Sequence, residues 1–357
     1  MDRLSQNSTL ISQEVTIETQ QERVVFALAP ESREQFFPLF HPDEFPAMDC
    51  HWLDSSSMKG SEWEKVLSKL QPTVLITGWG TPAIPESFAH AEDISLRYLC
   101  HLKGTVRNLV PRCLIERGVW VSNWGPSISY TVAEHALLLV LASLRNLPAW
   151  ADVMDKWPGR PYPAPKRFVR TNSLRGQRVG LHGFGSIARE LVHLLKPFKV
   201  DLAAYSSGVP RAAFESQGVR CCGSLKELFS RSDIVIECEA LTSENKATVN
   251  EEILLCLPKG AVFVNVGRGQ IVDEEALIRV AAKCELRLGL DVYQREPLPA
   301  ASGLHQLPCA TLSPHIAGPT DDAYSVLWNH AMNNLRQYLM GAKIDSLVTL
   351  DIYDRST

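Results

Sequence analysis

Residues 178–198, RVGLHGFGSIARELVHLLKPF, run from an apolar stretch through a glycine turn into an amphipathic segment. Gly183 permits the tight turn, Gly185 lets the backbone approach a pyrophosphate, and the small Ala188 lets the next helix pack close to its sheet. Ser186 and Ile187 open that helix, whose free N–H groups and positive dipole end favour phosphate. A strand before the turn and a helix after it are the setting that dinucleotide binding needs; a purely structural turn is the alternative. An acid binding the ribose 2′-hydroxyl belongs about 20 positions on. VDLAAYSSG puts Ser206 there instead, followed by Ser207, with Arg211 within reach or merely opening a solvated helix. With no carboxylate to repel a 2′-phosphate, both NAD and NADP stay open and NADP is mildly favoured.

Working outward, the same rhythm recurs. DIVIECEA, AVFVNVG, LRLGLDVY and CATLSPH follow the first two apolar runs, with helical patterns or long crossovers between most of them. Upstream, VVFALA, PTVLITGWG, LRYLCHLKG and VWVSNWG alternate with helix-like segments such as WEKVLSKL. Strands separated by helices indicate parallel α/β sheets, and 357 residues exceed what one core normally supports. The expected division is a discontinuous substrate-binding domain, 1–126 with 319–357, and a dinucleotide-binding domain, 127–318. Between them runs an apolar helix, Tyr130 to Leu144, suited to a domain connector or subunit interface. A Pro-, Trp- and Arg-rich arm follows it and reads as an extended loop. A homodimer is the expected assembly.

Charge and cysteine usage narrow the function. Lys plus Arg is 36 against 40 for Asp plus Glu, a net charge of −4, which gives no basic face for nucleic acid or an anionic membrane. The nine cysteines are widely spaced with no C-x-x-C, so no structural zinc site, and no metal, is expected. The first 23 residues are polar, without the apolar core of a signal peptide. ALLLVLASL, from Ala136 to Leu144, is too short to cross a bilayer. A cytoplasmic enzyme is expected.

Three later runs end in polar residues. Arg268 lies between two glycines, Asp291 closes LGLD with Glu296 five residues on, and His315 follows Ser313-Pro314 and precedes Gly318. Ligands bind outside the carboxyl ends of such strands, so these groups converge on the crevice of the glycine turn. Singly each has a plain reading as a loop or surface residue; together they make a catalytic set. His315 suits a proton donor, and Glu296 beside it would favour imidazolium. Arg268 can grip a carboxylate and stabilise charge on a carbonyl oxygen.

From about Gly118 to Thr320 the chain resembles the D-isomer-specific 2-hydroxyacid dehydrogenase family. The likeness rests on GVWVSN, VAEHALLLVLASLRN, GFGSIA, SDIVIECEALTSEN, LPKGAVFVNVGRGQIVDEEAL, LGLDVYQREPLP and LSPHIAG. It implies two Rossmann-like, doubly wound parallel-sheet domains with the active site in the cleft between them. It also implies that Arg268, Glu296 and His315 are the catalytic residues and that Asp291 holds the nicotinamide carboxamide. Ala240, Leu241, Val266, Gly267, His315 and Gly318 would line the cofactor. Trp79, Gly80, Gly104 and Thr105, with Arg268, would meet a small 2-oxo or 2-hydroxy acid. Two departures stand out: Arg107 where relatives often carry an acid, and Cys238-Glu239-Ala240 in place of His-x-Pro. Arg107 and the bulky Trp79 either line the pocket or pack at the surface. The leading reading is an NAD(P)-dependent 2-oxo acid reductase for glyoxylate, hydroxypyruvate or a similar acid. The rival is a dinucleotide-sensing, corepressor-like binding protein. Formate oxidation is disfavoured because Glu296 is present beside the histidine.

Overall fold

The computed structural model describes residues 22–38, 48–156 and 170–355. The polar amino-terminal stretch up to residue 21 and the arm at 157–169 lie outside the described residues. Two parallel sheets organise the rest. The first comprises β1 (Glu22–Ala27), β2 (Met48–Leu53), β3 (Val74–Thr77), β4 (Tyr98–His101) and β5 (Trp120–Ser122), in the order β2-β1-β3-β4-β5. The second comprises β6 (Arg178–His182), β7 (Asp201–Tyr205), β8 (Arg220–Cys221), β9 (Ile234–Glu237), β10 (Val262–Asn265), β11 (Arg287–Leu290) and β12 (Ala310–Leu312). Its order is β12-β11-β10-β9-β6-β7-β8, so the strand order reverses beside β6, where the glycine turn lies.

The central strands are apolar because both faces are covered. β3, β9 and β10 read VLIT, IVIE and VFVN and are buried along their whole length. Two strands had no such signal. β2 (MDCHWL) is an edge strand, half-buried along most of its length, with polar residues interspersed. β8 pairs through only Arg220 and Cys221 at the opposite edge of the other sheet.

The expected apolar helix runs Ser129–Arg145. Leu139, Val140 and Leu144 enter the core against Val179, Leu191 and Val264, each worth roughly 1.5–3 kcal/mol of burial. Ser143, buried on the same face, donates to Leu288 O at 3.1 Å. Asn146 closes the helix at φ +54° with its N–H on Ala142 O and Ser143 O. Downstream, the helix Tyr324–Leu339 buries Leu327, Ala331, Met332 and Leu335 against Val24, Phe26 and Tyr98 of the first sheet. No single described helix is long and apolar enough to cross a membrane.

Candidate active site

The glycine turn is built as its spacing predicts, for two different reasons. Gly183 has φ +101°, and a Cβ there would lie 2.7 Å from Glu239 N and 2.8 Å from Cys238 O. Backbone of the β9 loop therefore leaves room only for glycine. At Gly185, the N-cap of the helix Ser186–Leu195, a Cβ would meet nothing within 4 Å. That open side is the cradle a pyrophosphate would fill, so the turn fits a dinucleotide. Ser186 Oγ accepts from Ser129 Oγ at 2.7 Å, tying the turn to the connecting helix, and Ile187 packs against the core.

At the end of β7, Ser206 donates to Glu239 Oε2 at 2.5 Å. An acid thus reaches Ser206 from the end of β9, where none stands at the end of β7. Glu239 Oε1 accepts from Ala240 N at 3.1 Å, and Asn245 Nδ2 donates to Ala240 O at 2.7 Å. Ser207 is exposed beside Ser206, while Leu241 is half-buried. Arg211 points to Glu215, 2.7 Å away on its own helical turn. Beneath the turn, His182 and Glu237 form a buried pair. Burial depresses the His182 pKa, but the Glu237 charge and hydrogen bond outweigh it and the net shift is upward.

Arg268 follows β10, with Val266 and Gly267 buried beneath it. Its loop is pinned by Asn265, whose Oδ1 accepts from Gly267 N at 3.0 Å and whose Nδ2 donates to Arg268 O at 3.2 Å. Arg268 Nη1 donates to Gly267 O at 2.8 Å, leaving its other N–H donors for a ligand. Burial lowers its pKa against the opposing pull of Glu296. His315 Nδ1 lies 2.6 Å from Glu296 Oε2, and Glu296 Oε1 accepts from Tyr293 N at 3.0 Å. His315 sits at φ +56°, a left-handed conformation uncommon for a histidine.

Asp291 holds that histidine's loop in place. Its carboxylate, 1% exposed, accepts from Ser313 Oγ at 2.6 Å, Ile316 N at 2.9 Å and Ala317 N at 3.0 Å. Burial pushes the Asp291 pKa up, yet His135, Ser313 and the two amides together bring it below the ordinary value. Thr131 Oγ1 donates to Gly318 O at 3.0 Å, fixing the far end of the same loop to the connecting helix.

The facing wall comes from the first sheet. Trp79 stacks on Phe36 at 5.4 Å and meets Trp124 edge-on at 5.7 Å. Gly80, at φ +81°, packs toward Ser56. Gly104 lies under Trp124, where a Cβ would be 2.7 Å from the indole nitrogen, and its carbonyl accepts from Asn123 Nδ2. Thr105 Oγ1 is buried and has no hydrogen-bond partner among the described residues. Below this loop His101 Nδ1 lies 2.9 Å from Thr77 Oγ1; burial, aided by the Lys103 charge, drops its pKa to about 3. Arg107 is exposed and acts electrostatically on Tyr353 and Asp354 of the last helix, which is the surface alternative for that residue.

Three contributors, Asn265, His135 and Lys103, are not among the residues the sequence singles out, and a fourth, Glu239, stands there only as part of a departure from His-x-Pro. Asn265 ends an apolar run and His135 interrupts an apolar helix, and a polar residue in such a place is a usable signal. Neither Glu239 nor Lys103 shows its role in the sequence, because only the fold brings the first to Ser206 and the second into the field of Arg268. A cavity of about 950 Å³, lined by Asn172, Asp233, Lys259 and Arg287 among others, opens at the amino ends of the second sheet's strands, away from these groups.

A family model described as the NAD-binding domain of D-isomer specific 2-hydroxyacid dehydrogenases matches residues 137–317, half of the chain. D-3-phosphoglycerate dehydrogenase of Methanocaldococcus jannaschii is 27% identical over 80% of this chain, which spans only 54% of that protein. Hydroxyphenylpyruvate reductase of Plectranthus scutellarioides is 32% identical over 63% of this chain and 70% of its own length. The apo structure of Rhodotorula graminis D-mandelate dehydrogenase aligns with a TM-score of 0.77, covering 92% of this chain and 97% of that one. Its 19% identity makes that a likeness of fold.

Proposed function

Because the chain belongs to the D-isomer specific 2-hydroxyacid dehydrogenase family, we propose that it reduces a small 2-oxo acid to the 2-hydroxy acid, with His315 supplying the proton. It is a nicotinamide-dependent oxidoreductase of the class acting on CH–OH groups. The observation that carries the finer reading is the His315–Glu296 contact of 2.6 Å, on the same crevice as a half-buried Arg268. When bound, the dinucleotide supplies the hydride. Glu296 holds Nδ1 of His315, which leaves Nε2 to exchange a proton with the substrate's carbonyl oxygen. Arg268 binds the 1-carboxylate and stabilises charge growing on that oxygen. Trp79, Gly80, Gly104 and Thr105 form the opposite wall. In the oxidative direction His315 is the base.

Gly183, Gly185, Ser186 and Ile187 would hold the pyrophosphate, and Ser206 the adenosine ribose. Val266, Gly267, Asp291 and Gly318 would lie along the nicotinamide half. The carboxylate of Glu239 beside Ser206 favours NAD, because a ribose hydroxyl can donate to it and a 2′-phosphate is repelled. This departs from the mild preference for NADP, which weighed only the end of β7.

The domain division at 126/127 and 318/319 is part of the same reading. So is a homodimer: Leu138, Leu147, Trp150 and Met154 expose apolar surface along the connecting helix and just after it, Met154 at 71%. Nine free thiols suit the reducing cytoplasm.

The test is oxidation of NADH and NADPH at 340 nm against a panel of 2-oxo acids, for wild type, Arg268→Ala and His315→Ala. Both substitutions should cut turnover by about 100-fold or more, with dinucleotide binding retained. Full activity in His315→Ala would remove the mechanism. Tight dinucleotide binding with no turnover of any acid would favour a sensor instead.

A further inference from the structure

Lys103 leaves the end of β4 as a half-buried cation in the loop that also carries Gly104 and Thr105. Its ammonium lies 5.5 Å from the centroid of the Trp79 ring. That ring cannot swing away, being stacked on Phe36 and edge-on to Trp124. The loop is equally fixed, with Trp124 N donating to Lys103 O at 3.3 Å and Asn123 holding Gly104. Among the described residues no carboxylate pairs with Lys103; the charge acting on it is another cation, Arg268, from the facing sheet. Burial, followed by that like charge, lowers the Lys103 pKa.

Two cations on one crevice are more than a simple 2-oxo acid requires. Its single carboxylate is satisfied by one guanidinium, which can bind both oxygens at once. A second, partly desolvated ammonium in the field of that guanidinium costs free energy that the Trp79 ring offsets only in part, and an anion would compensate the rest. The buried Thr105 hydroxyl, without a partner among the described residues, adds unmet polar capacity to the same loop.

We propose that Lys103 is a specificity-determining residue that receives a second anionic group at the far end of the substrate, so that the preferred substrate is a 2-oxo acid with a distal carboxylate or phosphate. The proposal rests on the reductase reading above and narrows its substrate class. Arg268 takes the 1-carboxylate next to the reacting carbon, Lys103 the distal anion, and the Trp79 face the chain between them.

The experiment measures kcat/KM of the full chain, with its preferred reduced dinucleotide, on two matched pairs. The first is 2-oxopentanedioate against 2-oxopentanoate, which isolates a distal carboxylate. The second is 3-phosphonooxy-2-oxopropanoate against 3-hydroxy-2-oxopropanoate, which isolates a phosphate. Wild type should favour the charged member of at least one pair by about tenfold or more (~1.4 kcal/mol), chiefly through KM. Lys103→Met should bring that ratio close to one, and Lys103→Arg, which keeps the charge, should preserve most of it. The proposal is overturned if wild type prefers the uncharged member of both pairs. It is also overturned if Lys103→Met lowers both members equally, because the ammonium would then serve the shared 1-carboxylate. In those outcomes the uncharged acids are still reduced and the reductase reading survives. Failure to reduce any of the four acids would remove that reading and this proposal with it.

Discussion

Replacing Glu239 with glutamine tests the cofactor choice at its physical origin. Ser206 Oγ and Glu239 Oε2 are 2.5 Å apart across the glycine turn. A 2′-phosphate seated beside Ser206 would bring its charge to about 4 Å from the carboxylate, a repulsion of roughly 4 kcal/mol per unit charge at an effective dielectric near 20. Solvent and salt at the open rim of the crevice reduce this, and halving it leaves about 2 kcal/mol, or roughly 30-fold in affinity. Wild type should therefore show kcat/KM at least about 30-fold higher with NADH than with NADPH. Glu239→Gln keeps the length and hydrogen-bonding capacity but removes the charge, and should erase most of that ratio, mainly by improving NADPH. The assay is initial rates at 340 nm with both reduced cofactors under a saturating 2-oxo acid, repeated at low and high salt. The wild-type ratio should shrink with salt and the variant's should not. An NADPH preference in wild type, or a ratio untouched by Glu239→Gln, would refute the reasoning.

Other perturbations separate stability from ligand binding. Gly183→Ala meets β9-loop backbone at 2.7–2.8 Å with φ at +101°, and should cost about 3 kcal/mol or more by urea denaturation. Gly185→Ala meets nothing within 4 Å; its denaturation midpoint should match wild type while the dissociation constant for reduced dinucleotide, read by fluorescence, rises about tenfold or more. Asp291→Asn leaves donors facing an amide where Ser313, Ile316 and Ala317 donate to a carboxylate. It should lose about 2–4 kcal/mol and lower kcat through the displaced His315 loop; an unchanged midpoint would contradict the brace. His101, held at about 3 in the fold, binds its proton more readily when unfolded, near 6.5. Its contribution is therefore complete above that value and lost as pH falls toward 3. Relative to His101→Gln, wild type should lose about 3 kcal/mol between pH 7 and 4.5, and parallel stability curves for the two proteins would contradict this.

Much of this molecule is legible in one dimension because the relevant physics is local. Strands buried on both faces must be apolar throughout, so VLIT, IVIE and VFVN announce themselves. A turn that meets phosphate must lack side chains, so GFGSIA does too. Polar residues ending such strands mark the crevice, and Arg268, Glu296 and His315 are readable on that ground. The edge strand β2 is not, since half-burial along most of its length demands no apolar run.

Contacts between residues distant in sequence depend on the folded chain. Ser206 taken alone suggests room for a 2′-phosphate; adjacency of the β7 and β9 loops over the turn gives it a carboxylate 33 residues away. Asp291 reads as a cofactor ligand; the fold adds a second task, since its carboxylate also accepts from amides 25 and 26 residues on. Lys103 is an ordinary loop lysine in sequence; in space its ammonium lies 5.5 Å from the Trp79 ring centroid and within the electrostatic reach of Arg268. Composition and periodicity determine which backbone elements form, because those depend on neighbouring residues. Which charges meet depends on strand order and on how the two sheets face each other, and there the long-range Coulomb and desolvation terms act.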